Sequence, residues 1–270
     1  MKIQILQFNV EPQSPSKNMH KIERLFSEHV SHDTDVVVLP EMWNNGYALS
    51  SLKQLSDRNL KQSLEWIQAL ARQYSVDIIA GSVSNQVEEN LYNTAFAVDQ
   101  NGHKIYEYHK IHLVPMLNEP TYLDAGTRVP YTFHLSDGTP VSQIICYDLR
   151  FPELTRYPAA NGTQIMFYVA QWPEVRKAHW RTLLQARAIE NDMFVVAANT
   201  CGSDGETSFA GHSMIINPNG EILKEADHEE TVLTVDINLN DVQKQRINIP
   251  VFDNLRPDIY EYFNKSKPPV

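Results

Sequence analysis

Cysteine is scarce in this chain. Only Cys146 and Cys201 occur among 270 residues, so at most one disulfide can form. Neither lies in a Cys-x-x-Cys pair, which removes zinc-ribbon and thioredoxin-like readings at the first test. Positive charge is also short: 23 lysines and arginines stand against 33 aspartates and glutamates, a formal net charge of −10. Binding phosphates by counterion release needs clustered Lys and Arg, and no cluster is visible, so nucleic acid is not expected as a partner. No apolar run is long enough to span a bilayer, and Met1 to Phe8 enter an alternating strand pattern at once. The expectation is a soluble, cytoplasmic protein with no membrane partner. A Pro/Gly/Ser-rich linker is missing too. With 42% hydrophobic and 21% charged residues the composition is that of an ordinary globular protein, one large domain or two small ones.

What is present is an alternation of strand and helix patterns. Residues 2–10 alternate as a strand, and Met19, Ile22, Phe26 and Val30 then recur at helical spacing behind Ser14 and Ser16 as candidate caps. Asp35 to Glu41 is a short run apolar on both faces, as in a strand covered on both sides. Leu60, Leu64, Ile67, Ala71 and Tyr74 mark a second helix, followed by strand patterns at 77–83 and 91–98 and a hairpin through Asn101-Gly102 to a strand over 104–113. Pro115 to Gly126 reads as an irregular loop carrying Glu119. A second hairpin turns at Asp137-Gly138 and leads into the strand that ends on Cys146. A short helix over 151–160, a fully apolar strand at 164–170, a helix over 178–192, strands at 194–199, 211–216 and 232–237, and a helix from Asn240 complete the pattern. Several consecutive strands are hairpin-linked, so the sheets are expected to be mixed, with helices on their outer faces. Residues 1–250 read as one domain, and 251–270 as an irregular arm.

Three chemically useful groups sit where apolar strands give out: Glu41, Lys110 and Cys146. Taken singly each has a plain explanation, as a first-turn carboxylate, a solvated strand end and a buried packing thiol. In an α/β sheet, however, such ends gather at one edge, where ligands bind. The chemistry then gives the set a purpose. A thiol attacks a carbonyl or nitrile carbon as thiolate, so it needs a cation or base beside it. Lys110 supplies the cation and, with the N–H of Tyr147, the donors for an oxyanion. Glu41 can take the thiol proton, pass it to the leaving nitrogen, and later activate water against a thioester. That is amide hydrolysis without metal or cofactor.

At these residues the chain resembles the nitrilase superfamily of carbon–nitrogen hydrolases. The similarity rests on Leu39-Pro-Glu41-Met-Trp-Asn-Asn-Gly46-Tyr47, Tyr108-His-Lys110-Ile-His-Leu113, Ile145-Cys146-Tyr-Asp-Leu-Arg150-Phe-Pro-Glu153 and Trp180 to Asn191, with Asn199 and Gly211-His-Ser213 beyond. The resemblance implies Glu41 as general base, Lys110 as oxyanion-stabilising lysine, Cys146 as nucleophile and Glu119 as the second glutamate that positions substrate and lysine. It implies an α/β fold, a four-layer α-β-β-α sandwich of two mixed sheets, and a homodimer. The arm, with Phe252, Tyr260, Tyr262 and Phe263, suits either that interface or packing on its own subunit.

Within the superfamily, Gln171-Trp172-Pro173-Glu-Val-Arg176 and residues 205–211 resemble the bacterial omega-amidase branch, whose substrates are 2-oxoglutaramate and 2-oxosuccinamate. Two positions depart from that pattern: Gln171 where Asn is expected, and His212 where an acid is common. Arg176 beside Trp172 is the candidate to pair with a substrate carboxylate, or else a solvated first-turn residue. Alternatives are an N-carbamoyl-amine or other aliphatic amide hydrolase, and, from another class, a non-catalytic binding module. His109 and His112 flank the lysine, but three apart in a strand they face opposite sides, so no shared metal is expected. Asp148, Arg150 and Glu153 read as a charged network behind the nucleophile turn, and Cys201 as packing.

Overall fold

The computed structural model describes residues 1–259. Its first half runs β1 (Lys2–Gln7), α1 (Pro15–His29), β2 (Val36–Val38), α2 (Leu52–Leu55), β3 (Asp57–Arg58), α3 (Lys61–Tyr74), β4 (Asp77–Val87), β5 (Asn90–Val98) and β6 (Lys104–His109). The second half continues α4 (Glu119–Tyr122), β7 (Phe133–His134), β8 (Pro140–Ile145), α5 (Pro152–Ala160), β9 (Ile165–Ala170) and α6 (Lys177–Asn191). It closes with β10 (Phe194–Asn199), β11 (Met214–Ile216), β12 (Ile222–Glu225), β13 (Thr231–Asp236) and α7 (Asn240–Asn248).

The strands form two sheets, ordered β13-β1-β2-β4-β5-β6 with β3 beside β4, and β12-β11-β10-β9-β8-β7. Both are mixed. β1, β2 and β4 run parallel, as do β8, β9 and β10, and the hairpin-linked strands pair antiparallel at the flanks. The period of two explains the apolar runs. Val36 and Val38 join Ile3, Ile5 and Ile79 in a core that also holds Ile144, Val169 and Val196 of the second sheet. Val37 points the other way, with Leu6, Ile78 and Ala80, beneath Ile22 and Phe26 of α1 and Ile67 and Leu70 of α3. On the far side Leu154 of α5 and Trp180, Leu184 and Ala188 of α6 pack against the second sheet. The layers are therefore helix, sheet, sheet, helix. Each fully buried Val, Leu or Ile contributes roughly 1.5–3 kcal/mol, as an upper bound.

The differences from the expected elements are local. The strand expected over 35–41 pairs only at Val36–Val38, because Pro40 has no N–H to offer a ladder. That expected over 104–113 stops at His109. The 115–126 loop contains a 3-10 turn and α4, separated by Asn118 at φ 58. Ser14 stands at the N-cap of α1 without a side-chain capping bond. In the arm, Phe252 lies 5.5 and 5.1 Å from the Arg156 and Arg246 guanidiniums of its own subunit, whereas Tyr260, Tyr262 and Phe263 fall outside the described residues. Among the described residues no helix is long and apolar enough to cross a membrane.

Candidate active site

Because β8, β9 and β10 are parallel, their C-terminal ends share one edge, where Cys146, Gln171 and Asn199 stand. Glu41 follows β2 in the facing sheet. Its approach depends on Gly81, which lies in a bulge of β4 at φ +59; a Cβ there would come within 1.9 Å of the Pro40 carbonyl oxygen. Cys146 itself has φ 45 and opens a 3-10 turn, Cys146–Arg150. A non-glycine residue in that region costs about 1–2 kcal/mol and marks a constrained position. The first N–H groups of such a turn have no partner within its own hydrogen-bond pattern.

The carboxylates of Glu41 and Glu119 and the ammonium of Lys110 are fully buried. Lys110 Nζ donates to Glu119 Oε1 at 2.8 Å, to Glu41 Oε1 at 3.2 Å and to the Tyr47 hydroxyl at 3.2 Å. Glu119 Oε2 accepts the Val114 N–H at 2.7 Å, which ties the 115–126 loop to the lysine. Glu41 has further donors: the Tyr47 hydroxyl at 2.7 Å and Asn93 Nδ2 at 2.8 Å on Oε1, and the Gln171 N–H at 2.7 Å on Oε2. Gln171 Nε2 also donates to the Glu41 carbonyl at 2.8 Å. Asn199 holds the next residue, accepting the Trp172 N–H at 2.7 Å.

The structure thus brings Glu41, Lys110, Glu119 and Cys146 together. It adds Tyr47, Asn93 and Gln171, to which the sequence reading gave no role. A strand-breaking Asn inside the pattern Leu91-Tyr-Asn93-Thr was the available signal for one of them.

Electrostatics favour a neutral thiol at rest. Burial pushes the Cys146 thiol well above its ordinary value; Glu41 adds to this through its charge and a hydrogen bond with the thiol, and Lys110 only partly opposes it. Burial alone would lower Lys110, but the charges of Glu119 and Glu41 outweigh it and hold the ammonium above the usual lysine value. Burial and the same two carboxylates also raise Tyr47. The arrangement therefore suits proton removal from the thiol by Glu41 during attack rather than a standing thiolate.

A cavity of about 150 Å3 opens on Cys146 and is walled by Tyr47, Tyr147, Arg150, Trp172 and Arg176, with Asp204 and Glu206 also on its lining. Trp172 Nε1 donates to the Arg176 carbonyl at 2.8 Å, closing the 172–176 turn. The expected network behind the nucleophile turn separates into parts. Asp148 does lie behind it, fully buried, accepting from the Tyr108 hydroxyl at 2.8 Å and from the His112 N–H at 3.1 Å. Arg150 instead faces the cavity, its guanidinium 4.8 Å from the Trp172 ring, and Glu153 is exposed. Among the described residues neither Arg150 nor Arg176 has a carboxylate within ion-pair distance. His109 sits against Thr94 Oγ1 at 2.9 Å and stacks on Tyr92, while His112 Nδ1 lies 2.9 Å from Asp148. His212 Nδ1 lies 2.9 Å from Glu225. Among the described residues no group of three or more His, Cys, Asp or Glu side chains could hold a metal ion.

Two mixed sheets lie between helix layers, with a thiol at a strand end against a buried carboxylate–ammonium cluster, in an α-β-β-α hydrolase. The chain belongs to the carbon–nitrogen hydrolase family, which it matches over residues 2–247. It is 54% identical over 261 residues to a hydrolase in the agr operon of Staphylococcus aureus, covering 97% of this chain and 100% of the relative. It is 43% identical over 258 residues to the 2-oxoglutaramate amidase of Bacillus subtilis, covering 96% of this chain and 98% of the relative. A CN-hydrolase superfamily protein from Xanthomonas campestris, solved with an arsenic adduct in its active site, superposes with a TM-score of 0.87 at 28% identity, covering 95% of this chain and 97% of the other.

Proposed function

We propose that this protein hydrolyses a short aliphatic amide with a carboxylate at its far end, as in 2-oxoglutaramate or 2-oxosuccinamate, to the acid and ammonia. One observation carries the reading: a single small cavity has Cys146 among its lining groups, next to the Glu41–Lys110–Glu119 cluster, and on its wall Arg150, which has no acidic partner among the described residues. The name of the Bacillus subtilis relative supports the same substrate class.

In this reading Cys146 is the nucleophile. As its sulfur bonds to the amide carbon, its proton moves to Glu41, and the oxyanion rests on Lys110 Nζ and the Tyr147 N–H. Glu41 hands that proton to the nitrogen as the C–N bond breaks, and ammonia leaves a thioester. Water then attacks the thioester carbon and gives a proton to Glu41. The sulfur takes it back as the acid departs. Glu119 keeps Lys110 in place, Trp172 forms a wall, and Arg150 with Arg176 meets the far carboxylate by charge-assisted hydrogen bonds. No cofactor takes part.

The test is ammonia release from 2-oxoglutaramate, with mass spectrometry for an acyl group on Cys146. Activity that survives Cys146→Ala sinks the reading. A second reading, an N-carbamoyl-amine hydrolase, draws on Asp204 and Glu206, which line the same cavity and suit a cationic amine; a panel of both substrate types separates the two. We further infer a cytoplasmic homodimer in which residues 1–250 form the hydrolase domain and the 251–270 arm lies at the subunit contact. The two unpaired thiols are consistent with a reducing compartment, and a monomeric mass in sedimentation would overturn the dimer.

A further inference from the structure

Asn93 stands inside β5, fully buried, and its backbone carbonyl accepts the Lys110 N–H at 2.9 Å. Its side chain is half used. Nδ2 donates to Glu41 Oε1 at 2.8 Å, while Oδ1 is buried and, among the described residues, has no hydrogen-bond partner. A buried acceptor left empty is unfavourable, and such a group in a folded protein asks for a reason. Turning the amide over would bring Oδ1 against a carboxylate oxygen, acceptor to acceptor, so the orientation holds while Glu41 is ionised.

The distribution of donors on Glu41 gives the reason. Of the nitrogen and hydroxyl donors among the described residues, Oε1 accepts three, from Lys110 Nζ at 3.2 Å, Tyr47 at 2.7 Å and Asn93 at 2.8 Å, whereas Oε2 accepts one, the Gln171 N–H at 2.7 Å. We propose that Asn93 is a positioning residue for the base: with Lys110 and Tyr47 it saturates Oε1, so that Oε2 is the oxygen that receives the Cys146 proton. The bond to Asn93 is charge-assisted, and it favours the ionised carboxylate over the protonated one. The titratable groups that face Glu41 are Lys110 from the end of β6, Glu119 from α4, Tyr47 from the loop after Glu41, and Cys146 from the end of β8. Asn93 donates to Glu41 alone among them. The inference rests on Glu41 as the base, but it does not depend on which amide is the substrate.

The experiment follows alkylation of Cys146 by iodoacetamide in the full chain across acid to mildly alkaline pH, by mass spectrometry. Cys201, buried with its thiol pushed up to about 12, serves as the internal slow site. Asn93→Leu keeps the branched shape and removes both the donor and the empty acceptor. It is expected to melt no lower than the parent, to move the acid-side fall in labelling upward by about one pH unit, and to lower kcat on amide about tenfold or more with little change in KM. Asn93→Asp, which sets a second carboxylate against Glu41, moves the fall further the same way. A folded Asn93→Leu protein whose acid-side fall stays in place overturns the inference, as does a fall that moves in the aspartate variant alone. If the parent hydrolyses no amide while the labelling curve still shifts, the substrate reading fails and the role of Asn93 stands.

Discussion

Replacing Lys110 with methionine tests the buried charge cluster most directly. Methionine has similar length and no charge. In the intact site Nζ lies 2.8 Å from Glu119 Oε1 and 3.2 Å from Glu41 Oε1, and all three side chains are fully buried. At an effective dielectric of about 20 these contacts represent about 6 and about 5 kcal/mol of gross attraction. Desolvation of the ammonium offsets several kcal/mol of that. Without the cation two carboxylates share one enclosure with neutral donors only, so Lys110→Met is expected to lose about 3–5 kcal/mol at about pH 8. For a chain of this size that is a fall in melting temperature on the order of 10 °C.

The pH dependence has a definite sign. In the variant a buried carboxylate without its cation binds a proton more readily than in the unfolded chain, so its folded pKa lies above the unfolded value of about 4.3. A group of that kind contributes its full stability below the unfolded value and loses it as pH rises through the folded one. The deficit should therefore shrink between about pH 8 and about pH 5. Guanidinium unfolding followed by tryptophan fluorescence at both pH values measures it. The double variant Lys110→Met/Glu119→Gln should recover at least about 1 kcal/mol at the higher pH, because one of the two uncompensated charges is gone. A deficit below about 1 kcal/mol, or one that is the same at both pH values, refutes the reasoning.

Two further substitutions probe the scaffold and the pocket. Gly81→Ala forces a Cβ to within 1.9 Å of the Pro40 oxygen and 2.7 Å of the Leu39 oxygen at φ +59; stability should drop by more than about 2 kcal/mol with loss of turnover. Gly138→Ala, with nothing within 4 Å, should cost only the backbone strain, about 1 kcal/mol, and leave activity intact; thermal melts compare the two. Arg150→Gln should raise KM for amides bearing a terminal carboxylate about 100-fold and leave uncharged amides unaffected, with Arg176→Gln doing less. Ammonia-release kinetics on matched charged and neutral amides decide it, and equal losses on both would refute a carboxylate-binding role.

The layered fold, and the strand-end groups that the structure gathers into the candidate site, were legible because both depend on where apolar runs stop. Asp35 to Glu41, 104–113 and Ser142 to Cys146 read as strand runs that carry a chemically useful group at or near their ends, and those groups are Glu41, Lys110 and Cys146. The first of these strands fell short of its pattern because a ladder needs an N–H that Pro40 lacks; beyond His109 and up to Leu113, backbone bonding among the described residues continues only through Lys110, whose N–H meets the Asn93 carbonyl and whose carbonyl accepts the Gly126 N–H. Arg150 was misassigned for a different reason. Its direction follows from the 3-10 turn that Cys146 opens at φ 45, and a hydrophobicity pattern carries no record of a single backbone angle. Glu153, exposed at the start of α5, was grouped with Asp148 only because the two are near in sequence.

By itself the sequence determined the two-sheet, helix-covered architecture, the family, and the placement of a carboxylate, an amine and a thiol at the ends of separate strands, since period-two burial and its termination are properties of the local chain. Only the tertiary structure decided which groups surround them. Tyr47, Asn93 and Gln171 lie on different elements: Asn93 is on β5, two strands from β2 in the same sheet, Tyr47 is in the loop after β2, and Gln171 comes from the end of β9 in the facing sheet. The packing of these elements removes water from Lys110 and Glu119, turning a surface ion pair into a buried one, and the burial pushes the Cys146 thiol above its ordinary value. Proximity across sheets is a sum over long-range contacts, and no local window of residues contains it.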